Sequence, residues 1–339
     1  MNNVELETSA CSQKEWTDLV DQFADVSLLQ LWEYGQAKAA TAGWDLTHHV
    51  FRHRGVVVGA AQALIKTLPV LGRGVVWINR APLWRRSGAS GDPKALFAML
   101  EALKRYWVLE RGFYLRVAPS LGPALEHLGA LRTLGFAPRP NSAWISAVVD
   151  LRQSPEKLRV GLHKKWRNCL KKSEGLGIAV HVGSEPALFQ QFLDDYERFL
   201  KTKEFATNVT PEFLIDLQRA LPQERKMLVL GARKAGQWLG SVLMAQYGST
   251  AEYLAGAVNP VGKAANVGQL LLWNGMVELK RRGMERLDVG GAHPTQTPEG
   301  IYHFKQGLGG SPYELIGQFE CVAGVRGRAI QLATRLKGI

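Results

Sequence analysis

The chain has 339 residues, 46% hydrophobic and 21% charged, with 42 Lys+Arg against 30 Asp+Glu for a formal net charge of +12. That balance excludes a disordered chain, a fibre and a disulfide scaffold, and the length suits two domains. No run approaches the roughly 20 apolar residues of a membrane span, and the opening MNNVELETSACSQKEW is acidic and polar where a secretory signal is basic and then apolar, so the expected location is the cytoplasm. Cys11, Cys169 and Cys321 have no zinc-site spacing, and the histidines at 48, 49, 53, 163, 181, 293 and 303, seven of the eight in the chain, show no metal-binding pattern. The basic excess points to a polyanionic partner such as RNA, a nucleotide or anionic lipid.

In chain order, HVFRHRGVVVGAAQALIK (49–66) reads as strand, tight turn at Arg54-Gly55, strand. ALFAMLEALKRYWVLERGFYLRV (95–117) is an amphipathic helix closed by Arg-Gly and running into an apolar strand. LRTLGFAPRPNSAWISAVVDL (131–151) adds a short helix, a glycine and a closing strand. KLRVGLHKKWRNCLKKSEG (157–175) predicts a helical segment with Leu158, Leu162, Trp166 and Leu170 as a buried stripe. Lys164, Lys165, Arg167, Lys171 and Lys172 spread around much of its surface.

The order then repeats. LVLGARKAGQWLGSVLMAQYG (228–248) is a hairpin turning at Lys234-Ala235-Gly236, QLLLWNGMVELKRRGMERLDV (269–289) a helix and strand, and FKQGLGGSPYELIGQFECV (304–322) a helix, glycines and closing strand. Two copies of one α+β unit follow, each a mixed, mainly antiparallel sheet flanked by helices, with domains at 1–152 and 153–339, the second ending in a basic tail.

This order is that of the GNAT acyltransferase fold, and its tandem repetition resembles the Fem family, the aminoacyl-tRNA-dependent peptidyltransferases of peptidoglycan synthesis. The likeness extends to LQLWEYGQAKAATAGW (29–44), with Tyr34 where a Trp is usual, to KWRNCLKKSEGLGIAV (165–180), to NVGQLLLWNGMVELKRRGMERLDVGG (266–291) and to GIYHFKQGLGGSPYELIGQFECV (300–322). It runs from about residue 25 to 323, without the family's coiled-coil arm. It implies a cytoplasmic monomeric aminoacyltransferase that needs no cofactor or metal. Its partners would be aminoacyl-tRNA and a UDP-linked or lipid-linked muropeptide, with peripheral contact at the inner membrane face.

On that resemblance Phe304 and Lys305 are the catalytic pair, Lys305 stabilising the oxyanion of the tetrahedral intermediate. Tyr302 would help to exclude water. Lys38, Arg80, Lys203 and Tyr253 would bind substrate, and Lys164, Lys165, Arg167 and Lys171 would face the tRNA. Ala81 stands where the family has Gly after the arginine, and Lys203 where it has an arginine able to form a fork. On its own residues, Lys305 reads first as a solvated surface lysine at a helix start, and Asp288 as a turn cap sooner than as a proton acceptor. The rival reading is an acyl-CoA-dependent N-acyltransferase on the same fold. Its pyrophosphate loop would open the central helix, but VGKAANVGQLL (261–271) lacks the spacing and RRSGASGDPKAL (85–96) is a near miss, with Ser90 where the last small residue should fall.

Overall fold

The computed structural model describes residues 4–69, 71–202, 207 and 209–336. Packing divides the chain into two units, residues 1–144 with 314–339 and residues 145–313. Among the described residues, strands β1 (Glu5–Ser9), β2 (Asp45–His53), β3 (Val56–Leu68), β4 (Arg73–Asn79), β5 (Tyr114–Ala118) and β6 (Ala137–Pro138) belong to the first unit. Strands β7 (Trp144–Asp150), β8 (Ala179–Gly183), β9 (Leu228–Lys234), β10 (Gln237–Tyr247), β11 (Thr250–Val258), β12 (Arg286–Asp288) and β13 (Ser311–Leu315) form the second sheet. The last strand, β14 (Phe319–Cys321), returns to the first sheet between β5 and β6.

The two sheets share one plan. Their central hairpins are antiparallel, and one parallel pair, β4 with β5 and β11 with β12, results from the helical crossover between those strands. Both hairpin turns are built as the sequence indicates. Arg54 and Gly55 have φ of 50° and 78°, Ala235 and Gly236 have 47° and 80°, and left-handed φ at both central residues is what a two-residue turn needs to match strand twist.

The closing strands are a different matter. The strand expected to close the first unit, β7, instead pairs antiparallel with β12 of the second sheet, Asp150 opposite Arg286. The one expected to close the second, β14, pairs with β5 of the first sheet, Phe319 opposite Val117. A boundary at 152/153 therefore does not follow the packing. The residues read as a basic tail form a helix, Gly324–Leu336, that belongs to the first unit. Alternating apolar residues identify a strand but not the strand it pairs with.

Each unit has its own core. In the second, Leu158, Leu162, Trp166 and Leu170 are all buried, as their spacing predicts, against Leu228, Leu230, Met244, Leu271 and Met276. In the first, Phe51, Val76, Ile78, Leu96, Leu103, Leu115 and Phe319 interlock. The helix Pro93–Leu103 starts with Asp92, whose side chain accepts from the Lys94 amide, and Pro93 at its first turn.

Candidate active site

Strand β12 ends at Asp288, and the backbone there turns sharply through Gly290, whose φ of 71° and close surroundings demand glycine. A Cβ at Gly290 would lie 2.7 Å from the Tyr253 carbonyl oxygen and 3.2 Å from Lys305 Nζ. Asp288 holds this turn. Its Oδ1 accepts from the Gly290 amide at 2.8 Å and from the Ser146 hydroxyl, and its Oδ2 accepts from the Tyr313 hydroxyl. Both carboxylate oxygens are thereby engaged, which favours the turn-cap reading of Asp288.

The turn presents the Gly291 carbonyl to Lys305, whose Nζ donates to it at 2.9 Å. The same amine stands 5.4 Å from the centroid of the Tyr253 ring. Burial lowers the Lys305 pKa from the ordinary 10.5 to about 8, with the Glu252 and Asp288 carboxylates acting in the opposite direction. The amine therefore stays predominantly protonated at neutral pH. Burial also pushes the Tyr253 phenol up. A fixed cation of this kind, desolvated but not neutralised by a direct ion pair, suits a site where negative charge develops.

Lys305 sits in the last turn of the helix Glu299–Gln306, which is locked from one side. Trp166 Nε1 donates to the Phe304 carbonyl at 3.1 Å, and the His163 amide donates to the Gly307 carbonyl at 3.0 Å. A Cβ on Gly307 would strike the Trp166 ring at 2.3 Å, and one on Gly268 would touch the Phe304 ring at 3.2 Å. Tyr302 is half-buried beside this core, and its hydroxyl is bonded by the Gln306 amide. Tyr253, Phe304 and Lys305 thus come together, joined by Trp166, Gly290 and Asp288. The sequence shows Trp166 only as a core residue. The turn glycines are visible there as Gly290-Gly291, but their contact with Lys305 depends on a fold-back that no local pattern encodes.

Lys38 and Arg80 belong to the first unit. Burial lowers the Lys38 pKa, and its Nζ stands 5.7 Å from the centroid of Tyr34. Arg80 has φ of 57°, rare for a residue with a Cβ, and its guanidinium lies 4.8 Å over the Trp144 ring. The motif around Lys38 is also structural. Gln30 and Gln62 exchange hydrogen bonds, and the Gln62 side chain fills the space a Cβ on Gly35 would need, 2.5 Å away. Lys203 lies outside the described residues.

The basic helix Lys164–Glu174 sorts its cations into two groups. Lys164, Lys165, Lys171 and Lys172 are exposed, and at about 100° per residue they fall within roughly 120° of arc, a single face. Arg167 is half-buried and donates to the carbonyls of Val160 and Leu162, at 2.8 and 3.3 Å, closing the preceding short helix. Sequence periodicity spreads the five cations too widely because it includes an arginine that serves the backbone.

Residues 157–306 match the family model described as acetyltransferase (GNAT) domain. That match falls wholly within the second unit. No curated protein sequence matches the chain. Among solved structures, the chain is similar to FemX at 17% identity and a TM-score of 0.79, covering 97% of this chain and 99% of that one. A tandem GNAT protein from the clavulanic acid biosynthesis pathway gives 17% identity and a TM-score of 0.55, over 95% and 99% of the two chains. The C-terminal domain of a putative lysylphosphatidylglycerol synthetase from Agrobacterium fabrum gives 14% and 0.57, over 96% of each. The chain thus has the tandem GNAT fold, shared with FemX along nearly its whole length. Within the matched residues, helix Val267–Arg281 begins at Asn266, which has left-handed φ and gives no side-chain cap.

Proposed function

We propose that this acyltransferase moves an aminoacyl group from aminoacyl-tRNA to an amine of a peptidoglycan precursor carried on a nucleotide or a lipid. The observation that carries this reading is the Lys305 amine, half-buried, protonated at neutral pH and aimed by the Gly291 carbonyl and the Tyr253 ring. Attack of the acceptor amine on the ester carbonyl forms the C–N bond and places negative charge on oxygen, beside that cation. Collapse breaks the ester C–O bond, and the amine's proton ends on the departing ribose hydroxyl. With both oxygens of Asp288 engaged, proton transfer between the substrates themselves is the favoured route. The exposed face of Lys164, Lys165, Lys171 and Lys172 supports an approach of RNA to this unit.

Acyl-CoA as donor is a second reading, favoured by the family match and by the uncapped start of helix Val267–Arg281, where a pyrophosphate would sit. The Phe304 ring packed on Gly268, in that helix's first turn, weighs against it. Incubation with charged total tRNA and muropeptide precursors, followed by mass spectrometry, decides. The expected result is the mass of one added amino acid, abolished by ribonuclease. Saturable acetyl-CoA binding in calorimetry, with acyl transfer that survives ribonuclease, would establish the second reading.

A further inference from the structure

The helix Gly324–Leu336 of the first unit is apolar on two opposite faces. Gly327, Ile330 and Thr334 face inward, Ile330 in a small cluster with Leu68, Val75 and Tyr114. On the other side Val325, Ala329, Leu332 and Leu336 are exposed, the three large residues by 85%, 60% and 80%. Their spacing of four, three and four residues places them within about 60° of one another at roughly 100° per residue. Single exposed apolar side chains are ordinary, but an aligned stripe of them is a contact surface.

Charge indicates what it contacts. Arg326 and Arg328 are exposed on either side of the stripe, and residues 324–336 contain no Asp or Glu. Arg335 is already bound to Glu320, which also accepts from Gln331. A second copy docking through the same face would bring arginine rows together with no carboxylate from the helix to neutralise them, and RNA offers nothing to cover the leucines. An apolar stripe between arginines matches the boundary between acyl chains and anionic headgroups.

We propose that this helix lies on the surface of an anionic lipid bilayer, burying Val325, Leu332 and Leu336 among the acyl chains while Arg326 and Arg328 meet lipid phosphates. This holds the protein at a membrane peripherally, and no described helix is long and apolar enough to cross one. The inference rests on the first unit alone and is independent of the acyl-transfer reading.

The test is cosedimentation of the full chain with vesicles of equal phosphatidylglycerol and phosphatidylcholine, and with phosphatidylcholine alone. Binding to the anionic vesicles only, weakened by salt, is expected. Leu332→Ser with Leu336→Ser should lower partitioning about tenfold or more, and Arg326→Ser with Arg328→Ser should lower it comparably and flatten the salt dependence. Because the substituted side chains are exposed, thermal melts should remain as in the parent. Absence of vesicle binding by the parent, or binding that neither double variant reduces, would overturn the proposal. So would a concentration-dependent dimer that the leucine variant abolishes, which would make the stripe a contact between copies.

Discussion

The two units place a short helix at the same point of their repeat, after the central strand, and finish it differently. In the first, the helix Leu125–Thr133 carries Leu131-Arg132 in its last turn, with Leu131 buried and Arg132 exposed. In the second, the corresponding pair is Phe304-Lys305, and here the cation is drawn inward over Tyr253 and bonded to Gly291. The backbone plan is shared, so the plan alone does not draw the cation inward. What differs is the segment just after the strand, where Asp288 pins a glycine turn that offers a carbonyl to the lysine. A fold supplies positions, and a few residues decide which of them holds a half-buried cation.

The sharpest way to break the comparison is to remove each cation. Lys305→Met should retain the fold and lower turnover by about 10²- to 10³-fold, whereas Arg132→Met should leave turnover unchanged. Near-normal turnover in a folded Lys305→Met protein would remove the lysine from the mechanism. Next in size is Gly290→Ala, which forces a Cβ into left-handed φ against the Tyr253 carbonyl. A loss of about 1–2 kcal/mol in chemical denaturation is expected, with turnover falling about tenfold or more as the lysine is displaced. Gly135→Ala, at φ of 84° after the first unit's helix, should cost stability without touching turnover.

The basic helix offers a smaller contrast within one element. Lys164→Glu with Lys165→Glu should weaken tRNA binding and shallow its log-log salt slope by about 0.9 for each lost duplex phosphate contact, with melting unchanged. Arg167→Ala should instead lower the melting temperature, because the carbonyls of Val160 and Leu162 lose their donor.

The smallest effect is on pH dependence. Oxyanion stabilisation requires the protonated amine, so activity that depends on Lys305 should fall as pH rises through about 8. Stability should move the other way. Because the folded pKa lies below the ordinary 10.5, the unfolded chain holds more protons between about 8 and 10.5, and folding stability contributed by this group rises with pH across that window. Lys305→Met should flatten both trends, as read by pH–rate profiles and by urea melts.

The local features of this chain are legible in its sequence because local chemistry fixes them. Gly55 and Gly236 mark the hairpin turns, and the four-residue spacing from Leu158 to Leu170 marks the buried stripe. The resemblance singles out Phe304 and Lys305, and the structure sets the Lys305 amine over Tyr253 and the Phe304 ring against Gly268. What is not legible depends on contacts far apart in sequence. Nothing in Ile145–Asp150 states that it pairs with β12, and nothing in Phe319–Cys321 that it pairs with β5. Arg167 reads as a surface cation because helical spacing reports direction but not hydrogen-bonding partner.

The return of β14 to the first sheet has a consequence for how the protein is made. A ribosome delivers β1 to β5 early, but the slot between β5 and β6 stays empty until Phe319–Cys321 has left the exit tunnel, after all of the second unit's residues have been made. Until then both flanking strands expose unpaired backbone groups, the kind of edge that invites pairing with other nascent chains. The first unit begins earlier yet waits for β14, so its folding is timed by the synthesis of the second unit and not by the emergence of its own first strands.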